Sequence, residues 1–460
     1  LTGDLTGDLN ADVTQDNGAT STINQNAFGD GSMTQDAIVT QDGASGSTIT
    51  QTFNNTDSNT FLATVDQTGN GHTSSVLQED FGGAPAGNPD NGLTASVTQS
   101  GSDNDSSVQQ FNRGHTATVV QTGSDETSTI LQNGNSNTAA VSQSGSFNTS
   151  DVNQGGFGQF ANVSQTGINN NADVDQFGDG NNDANVNQAG TDSSARVDQS
   201  GNARGEEANI TQLATAANNS ATINQTGDGS TGAPQNRSEA NITQGGGSLN
   251  TATTTQSGFE QFADANQSGS GNRSLITQSG AGNSADVDQT GDDNDSQVVQ
   301  QGNPFFTGVP NDVFVTQIGV ANSSTVDAQN GDGSNTVDVD QTGTLNTSLI
   351  AQGSSAAAGN SIALTQIGDS NQSTITQASG IFADANSISA TQDGDRNVSL
   401  IDQQGFSNSI TLFQGGADNK STIDQTGDSN TATVTQTGAF DVSTVNQSGS
   451  GNTATVTQGS

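Results

Sequence analysis

Histidine and carboxylate clusters are the natural places to seek chemistry, and this chain offers few. Its two histidines, His72 and His115, stand six residues before Gln78 and Gln121. An imidazole there could ligate a metal or move protons. By position, each instead replaces an Asn that fills the same place in other segments. Gly and Asp alternate in Gly178-Asp179-Gly180, Gly227-Asp228-Gly229 and Gly331-Asp332-Gly333, and oxygen-rich turns can hold Ca²⁺. The nonapeptide spacing of calcium-binding β-rolls is absent, so these read as solvated turns. No cofactor is expected, beyond weak, non-specific binding of Ca²⁺ or another cation. Without Cys there is no thiolate ligand and no thiol nucleophile. A polysaccharide lyase on a β-helix would need clustered cations, and six scattered Arg plus Lys420 do not supply them. No enzyme is expected.

The composition is equally unlike an ordinary globular protein. Of 460 residues 28% are hydrophobic and 4% aromatic, all Phe, while Gly numbers 58; about 45–50% apolar is usual. Acidic residues number 48 against 7 basic, a net charge of −41. With no basic stripe to release phosphate counterions, nucleic acid is excluded as a partner. No run of about 20 apolar residues occurs, which excludes a membrane-spanning helix. The sequence begins at Leu1 rather than Met and shows no signal-peptide h-region, as a processed or recombinant chain would. Composition alone would mean disorder. The order of the residues overturns that reading.

An aliphatic residue, any residue, then Gln recurs every eleven positions. Its Gln residues fall at Gln99, Gln110, Gln121, Gln132, Gln143, Gln154, Gln165 and Gln176, and again at Gln436, Gln447 and Gln458. About 37 such units span the chain. Within Asn137 to Gln143, or Asn452 to Gln458, Asn, Ala, Val and Gln stand two apart with polar residues between. That is the period of a β-strand with two distinct faces. A four-residue arc follows, usually with Gly second (Gly101, Gly123, Gly134, Gly145), where φ > 0 is expected. Four residues before each Gln, Ala and Ser alternate: Ala95, Ser106, Ala117, Ser128, Ala139, Ser150. The true period is therefore 22 residues, and the fold class is all-β. The spacing predicts one continuous two-sided parallel β-solenoid over residues 1–460, cross-β in character, with about 18 rungs.

Val, Ile and Ala would fill a gap about 10 Å wide without large rings. Buried amides need partners, and stacked Gln residues would find them in one another. The Gln residues named above, with Asn137, Asn148, Asn430 and Asn452, are the expected ladder. Insertions are expected at 79–92, 226–237, 301–311, 353–360 and 378–388. Three of them hold all five prolines, which cannot donate to a strand ladder. Asp173, Asp175, Asp286, Asp288, Asp338 and Asp340 are expected on the solvent face. Their repulsion would make assembly favoured by salt, divalent cations or mildly acid pH.

The segment Gln132 to Gln143 (Gln132-Asn133-Gly134-Asn135-Ser136-Asn137-Thr138-Ala139, then a second Gln) resembles the curlin repeat, and Gln425 to Ala432 fits it equally well. The usual curlin subunit has about five repeats and often Ser where this chain has Asn, as at Asn104 and Asn148. The resemblance implies a secreted structural subunit of curli, the extracellular amyloid fibres of bacterial biofilms, serving matrix and adhesion. It also implies partners: further copies of the chain, a minor nucleator subunit and an outer-membrane export channel. The last repeat, Asn452 to Gln458, is complete, and an exposed strand edge is a template for another chain. The expected contact joins it to a neighbour's first rung, near Leu9 to Gln25, with Val445 and Val456 at the polymerisation edge. The alternative is a monomeric ice-binding or adhesin solenoid. Thr431, Thr433 and Thr435 or Thr453, Thr455 and Thr457 would suit it, but triples such as Asp105, Ser107, Gln109 predict no continuous Thr face.

Overall fold

The computed structural model describes residues 6–28, 32–54, 59–81, 92–178, 180–201, 205–227, 237–302, 311–330, 335–354, 359–378 and 385–459. Among them are thirty-seven β-strands and no helix. The five prolines, the centres of the expected insertions, and Asp179, Asp228 and Asp332 lie outside the described residues. The chain forms two compact units, one on Leu1–Asn219 and one on Ser220–Asp228 with Asn236–Ser460.

Within each unit a strand pairs with the second strand after it, parallel and in register. Ala139, Val141 and Gln143 lie beside Ala117, Val119 and Gln121 on one side and Ala161, Val163 and Gln165 on the other. The strand between them in sequence belongs to the opposite sheet, where Ser128, Ile130 and Gln132 meet Ser106, Val108 and Gln110. In unit one, sheet A runs from Thr6–Asp16 to Glu207–Gln212 and sheet B from Thr20–Phe28 to Ser194–Gly201. In unit two, sheet A runs from Glu239–Gly245 to Thr453–Gln458 and sheet B from Ser220–Gly227 to Val442–Ser450. This is a two-sheet parallel β-solenoid.

Alternating burial along each strand follows from the period-two pattern. Val119, Val141, Ile130 and Val152 are buried, and so are Ala117 and Ala139 in sheet A and Ser128 and Ser150 in sheet B. The Ala/Ser alternation in sequence thus becomes two chemically distinct sheets. Where sheet B of unit two keeps Ser348, Ser373 and Ser399, sheet A carries Ile362, Ile388 and Ile410. Large opposite small keeps a narrow core filled. One place departs from the expectation of a ring-free core. Phe53 and Phe61 are fully buried beside Met33 and Leu93, ring centroids 6.1 Å apart and nearly perpendicular.

Many strands are also longer than seven residues, because the arcs keep pairing: Thr138–Ser146 runs through Gly145, which lies beside Gly167. At Gly145 φ is +122°, and a Cβ would sit 1.9 Å from the Gly167 carbonyl oxygen. Gly123 corrects the expected reason. Its φ is not positive, yet a Cβ would lie 2.2 Å from the Gly145 oxygen. Close approach of stacked backbones therefore selects Gly as strongly as dihedral freedom does. The fourth arc residue is left-handed too, as at Asp125, Phe147 and Asn169. Gly145→Ala is expected to cost about 1–3 kcal/mol, while Gly353→Ala, where a Cβ meets nothing within 4 Å, should be near neutral. Urea unfolding of both variants checks this; equal midpoints would contradict the close-approach argument.

Candidate functional site

Between the outermost strands, the described rungs bury Gln residues whose amides make two kinds of bond. Along the stack, Gln99 Nε2 donates to Gln121 Oε1 at 2.7 Å, Gln121 to Gln143 at 2.9 Å and Gln143 to Gln165 at 2.8 Å. In sheet B the chain is Gln110 to Gln132, Gln154 and Gln176, each step 2.9 Å. In unit two Gln436 donates to Gln458 at 2.9 Å and Gln425 to Gln447 at 2.7 Å. The second N–H crosses the core: Gln143 Nε2 donates to the Thr127 carbonyl of sheet B, and Gln154 Nε2 to the Thr138 carbonyl of sheet A, both at 2.9 Å. One amide thus stitches rung to rung and sheet to sheet.

A second ladder runs where each arc enters the next strand. Asn430 N–H donates to Asn408 Oδ1, and Asn452 N–H to Asn430 Oδ1, at 2.9 and 3.0 Å. Asn430 Nδ2 meanwhile donates to the Gly449 carbonyl. Asn148 Oδ1 accepts from Asn170 N–H at 3.0 Å, and Asn137 Oδ1 from Gln159 N–H at 3.0 Å. The slot needs an acceptor for one neighbour and a donor for another. His72 and His115 occupy it fully buried. Their Nδ1 atoms accept from the N–H groups of Asn104 and Asn137 at 3.3 and 3.2 Å. Their Nε2 atoms face the carbonyls of Thr68 and Phe111 at 3.1 and 2.8 Å, which fixes the Nε2–H tautomer. Burial lowers the pKa of His115, keeping it neutral.

Sequence reasoning missed Glu126 and Glu206 in these slots, though their position five residues after a Gln or in line with Asn182 was a usable signal. Glu126 accepts from Asn148 N–H and Nδ2, both at 3.2 Å, and burial raises its pKa to about 7. Burial pushes Glu206 up to about 8. Also unforeseen is a buried pair under one arc of unit one, Arg113 Nε 3.7 Å from Asp80 Oδ2.

Among the described residues of sheet B in unit two, the Gln ladder has a gap. In sheet B of unit two, Ala328 stands between Gln300 and Gln352 in register. Gln352 Oε1 is buried without a hydrogen-bond donor.

Outside, three of the six stacked acids are less solvated than expected. Asp173, Asp175 and Asp286 are half-buried; Asp288, Asp338 and Asp340 are exposed. Burial, then the neighbouring Asp288 and Asp264, raises Asp286 to about 6, and Asp173 and Asp338 also shift upward, chiefly by burial. Arg196 lies 3.1 Å from Asp173 and 3.3 Å from Asp175. Among the described residues no group of three or more His or carboxylate side chains could hold a metal. A local hydroxyl face nevertheless forms at one place in unit two. Because alternate strands share a sheet, Thr431, Thr433 and Thr435 lie beside Thr453, Thr455 and Thr457, and beside Ser409 and Thr411 on the other side.

Two outcomes follow from the ladders. Ala328→Gln supplies the missing donor to Gln352 and should stabilise by about 1–3 kcal/mol; a lower urea midpoint would sink this. For Glu206, the folded state holds a proton that the unfolded chain has released, so stability should fall as pH rises from about 4.5 to about 8. Glu206→Gln, with the side chain that Gln159 and Gln261 already place in this slot, should flatten that decline in unfolding measured at pH 5 and pH 8.

A sequence model of the curlin associated repeat matches residues 115–145, 123–156, 250–280, 274–302, 333–368, 383–414, 407–438 and 427–459. No curated protein matches the chain. The matched segments lie in both units, and each carries Gln and Asn of the two ladders. The chain is a curlin-repeat protein with many repeats.

Proposed function

We propose that this protein is a secreted structural subunit that assembles head to tail into extracellular, curli-like amyloid fibres of a biofilm matrix, where they serve adhesion. The single observation that carries this reading is the in-register ladder. Nearly every described rung offers the next the same strand edge and the same amides, so a rung from another copy finds the same partners. The proposed contact lies on the outermost described strands. Leu9 and Val13 are 48% and 43% exposed, and Val456 and Gln458 are half-buried on a strand paired only with Thr431–Gln436 among the described residues. A head-to-tail contact of this kind propagates rather than closes. A nucleator subunit, an export channel, and weak cation binding that screens the stacked acids belong to the same reading. Catalysis has no part in it, in keeping with a structural family.

The hydroxyl face of unit two favours the second reading, a monomeric surface-binding or ice-binding solenoid; thermal hysteresis of a soluble monomer discriminates. The first reading is tested by electron microscopy and fibre diffraction of the purified chain, with a meridional spacing of about 4.8 Å expected. Val456→Asp should slow seeded elongation more than about tenfold, since a buried unpaired charge costs well over 1.4 kcal/mol. Val445 is 5% exposed, so Val445→Asp would weaken the fold as well and is the less clean variant. Unchanged fibre yield from Val456→Asp would refute the end contact.

A further inference from the structure

The outward face of sheet A in unit two changes character along the stack. From Glu239–Gly245 to Thr336–Thr344 it carries Glu239, Asp264, Asp286, Asp288, Asp338 and Asp340 among others. The next five strands are Ser361–Asp369, Ser387–Asp395, Ser409–Ala417, Thr431–Gln436 and Thr453–Gln458. At the outward positions one, three and five before each Gln they carry no charge at all. Every one of those positions is Ser or Thr except Ala363 and Phe413. Sheet B over the same stretch is mixed, with Lys420, Asp402 and Asp424 beside Leu400 and Val442.

Two chains of net charge −41 repel over most of their surface. Past the Gln these strands keep only Asp393 and, at their ends, Asp369 and Asp395, so this face is where they can approach with few opposing like charges. Small side chains on flat, parallel, in-register strands interdigitate into dry contacts, and the half-buried Phe413 supplies an apolar anchor at their middle. Five strands about 4.8 Å apart and about 20 Å long offer roughly 480 Å² per copy. Two copies would bury about 950 Å², close to the ~1,000 Å² floor for a specific contact. One pair alone is weak, and repetition along two filaments multiplies it.

We propose that this hydroxyl face is where a second copy of the chain packs side by side, face to face, so that filaments bundle laterally. The bundling rests on the self-assembly reading; the pairing of faces does not.

The test is Thr411→Asp with Thr433→Asp in the full chain, read by filament width in electron microscopy and by seeded elongation at 0.15 M NaCl. Single-width filaments growing at the parent rate are expected. The concentration needed for bundling should rise more than about tenfold, because like charges face across the contact. Mixing in chains with Thr411→Lys and Thr433→Lys should restore bundles, and Thr374→Asp with Thr422→Asp on sheet B should leave them intact. If the double variant fails to fold, Thr433→Asp alone is read the same way. Bundles that survive the sheet A charges, or that dissolve equally with the sheet B charges, overturn the proposal. So does ice-growth inhibition by the parent that Thr433→Asp abolishes while bundling persists. A parent that elongates but never thickens overturns this contact alone. One that pairs through this face without elongating supports the contact and overturns the filament reading.

Discussion

The structure depends on one chemical fact: a primary amide has two N–H groups and can spend them in perpendicular directions. Gln143 gives one to Gln165 along the stack and the other to Thr127 across the core. The first bond sets register, because a slip of one residue would turn the whole column outward. The second ties sheet A to sheet B, which pairing within a sheet cannot do. Each bond contributes only about 0.5–1.5 kcal/mol net, but a buried amide denied both is costly. The ladder therefore punishes misregister more than it rewards register, and that penalty recurs at every rung.

This division of labour explains how a chain only 28% hydrophobic folds at all. Ala, Val and Ile exclude water from a gap too narrow for most rings, while amides supply the specificity that shape complementarity supplies elsewhere. Stacked Gly residues let the arcs close to backbone contact, so arcs as well as strands join the cross-β pairing. Where larger groups enter, as at Phe53 and Phe61, they gather in one local cluster rather than along the whole core.

Much of this was legible in the sequence because, in a solenoid, spacing along the chain is position in space. The steps between Gln99, Gln110 and Gln121 marked the length of one strand with its arc, and the Ala117/Ser128/Ala139 alternation separated the two sheets. What escaped had physical reasons. The hydroxyl face is invisible to a reader moving from strand to strand, since Thr411, Thr433 and Thr455 are 22 residues apart with sheet B between them. Gly123 looks like a dihedral requirement and is a contact requirement. The transverse bond from Gln143 to Thr127 has no periodic signature of its own, because any backbone carbonyl can accept it.

The Asn slot shows how much freedom the ladder leaves. It asks for an acceptor toward the next rung's N–H and a donor toward a carbonyl, and Asn meets both at any pH. His115 meets them only as the neutral Nε2–H tautomer. Glu126 offers two acceptors to Asn148 and regains a donor only when protonated. The two substitutions thus need opposite conditions: His115 loses its acceptor as pH falls, and a buried carboxyl gains charge as pH rises. Among the described residues His72, His115, Glu126 and Glu206 all lie in unit one, while unit two keeps Asn in nearly every slot, with Asp441 as its acidic exception. The proton-binding side chains of this slot therefore lie chiefly in unit one, whereas in unit two the carboxyl raised to about 6 is Asp286 on the outward face, where a change of charge leaves the amides of the Asn ladder paired.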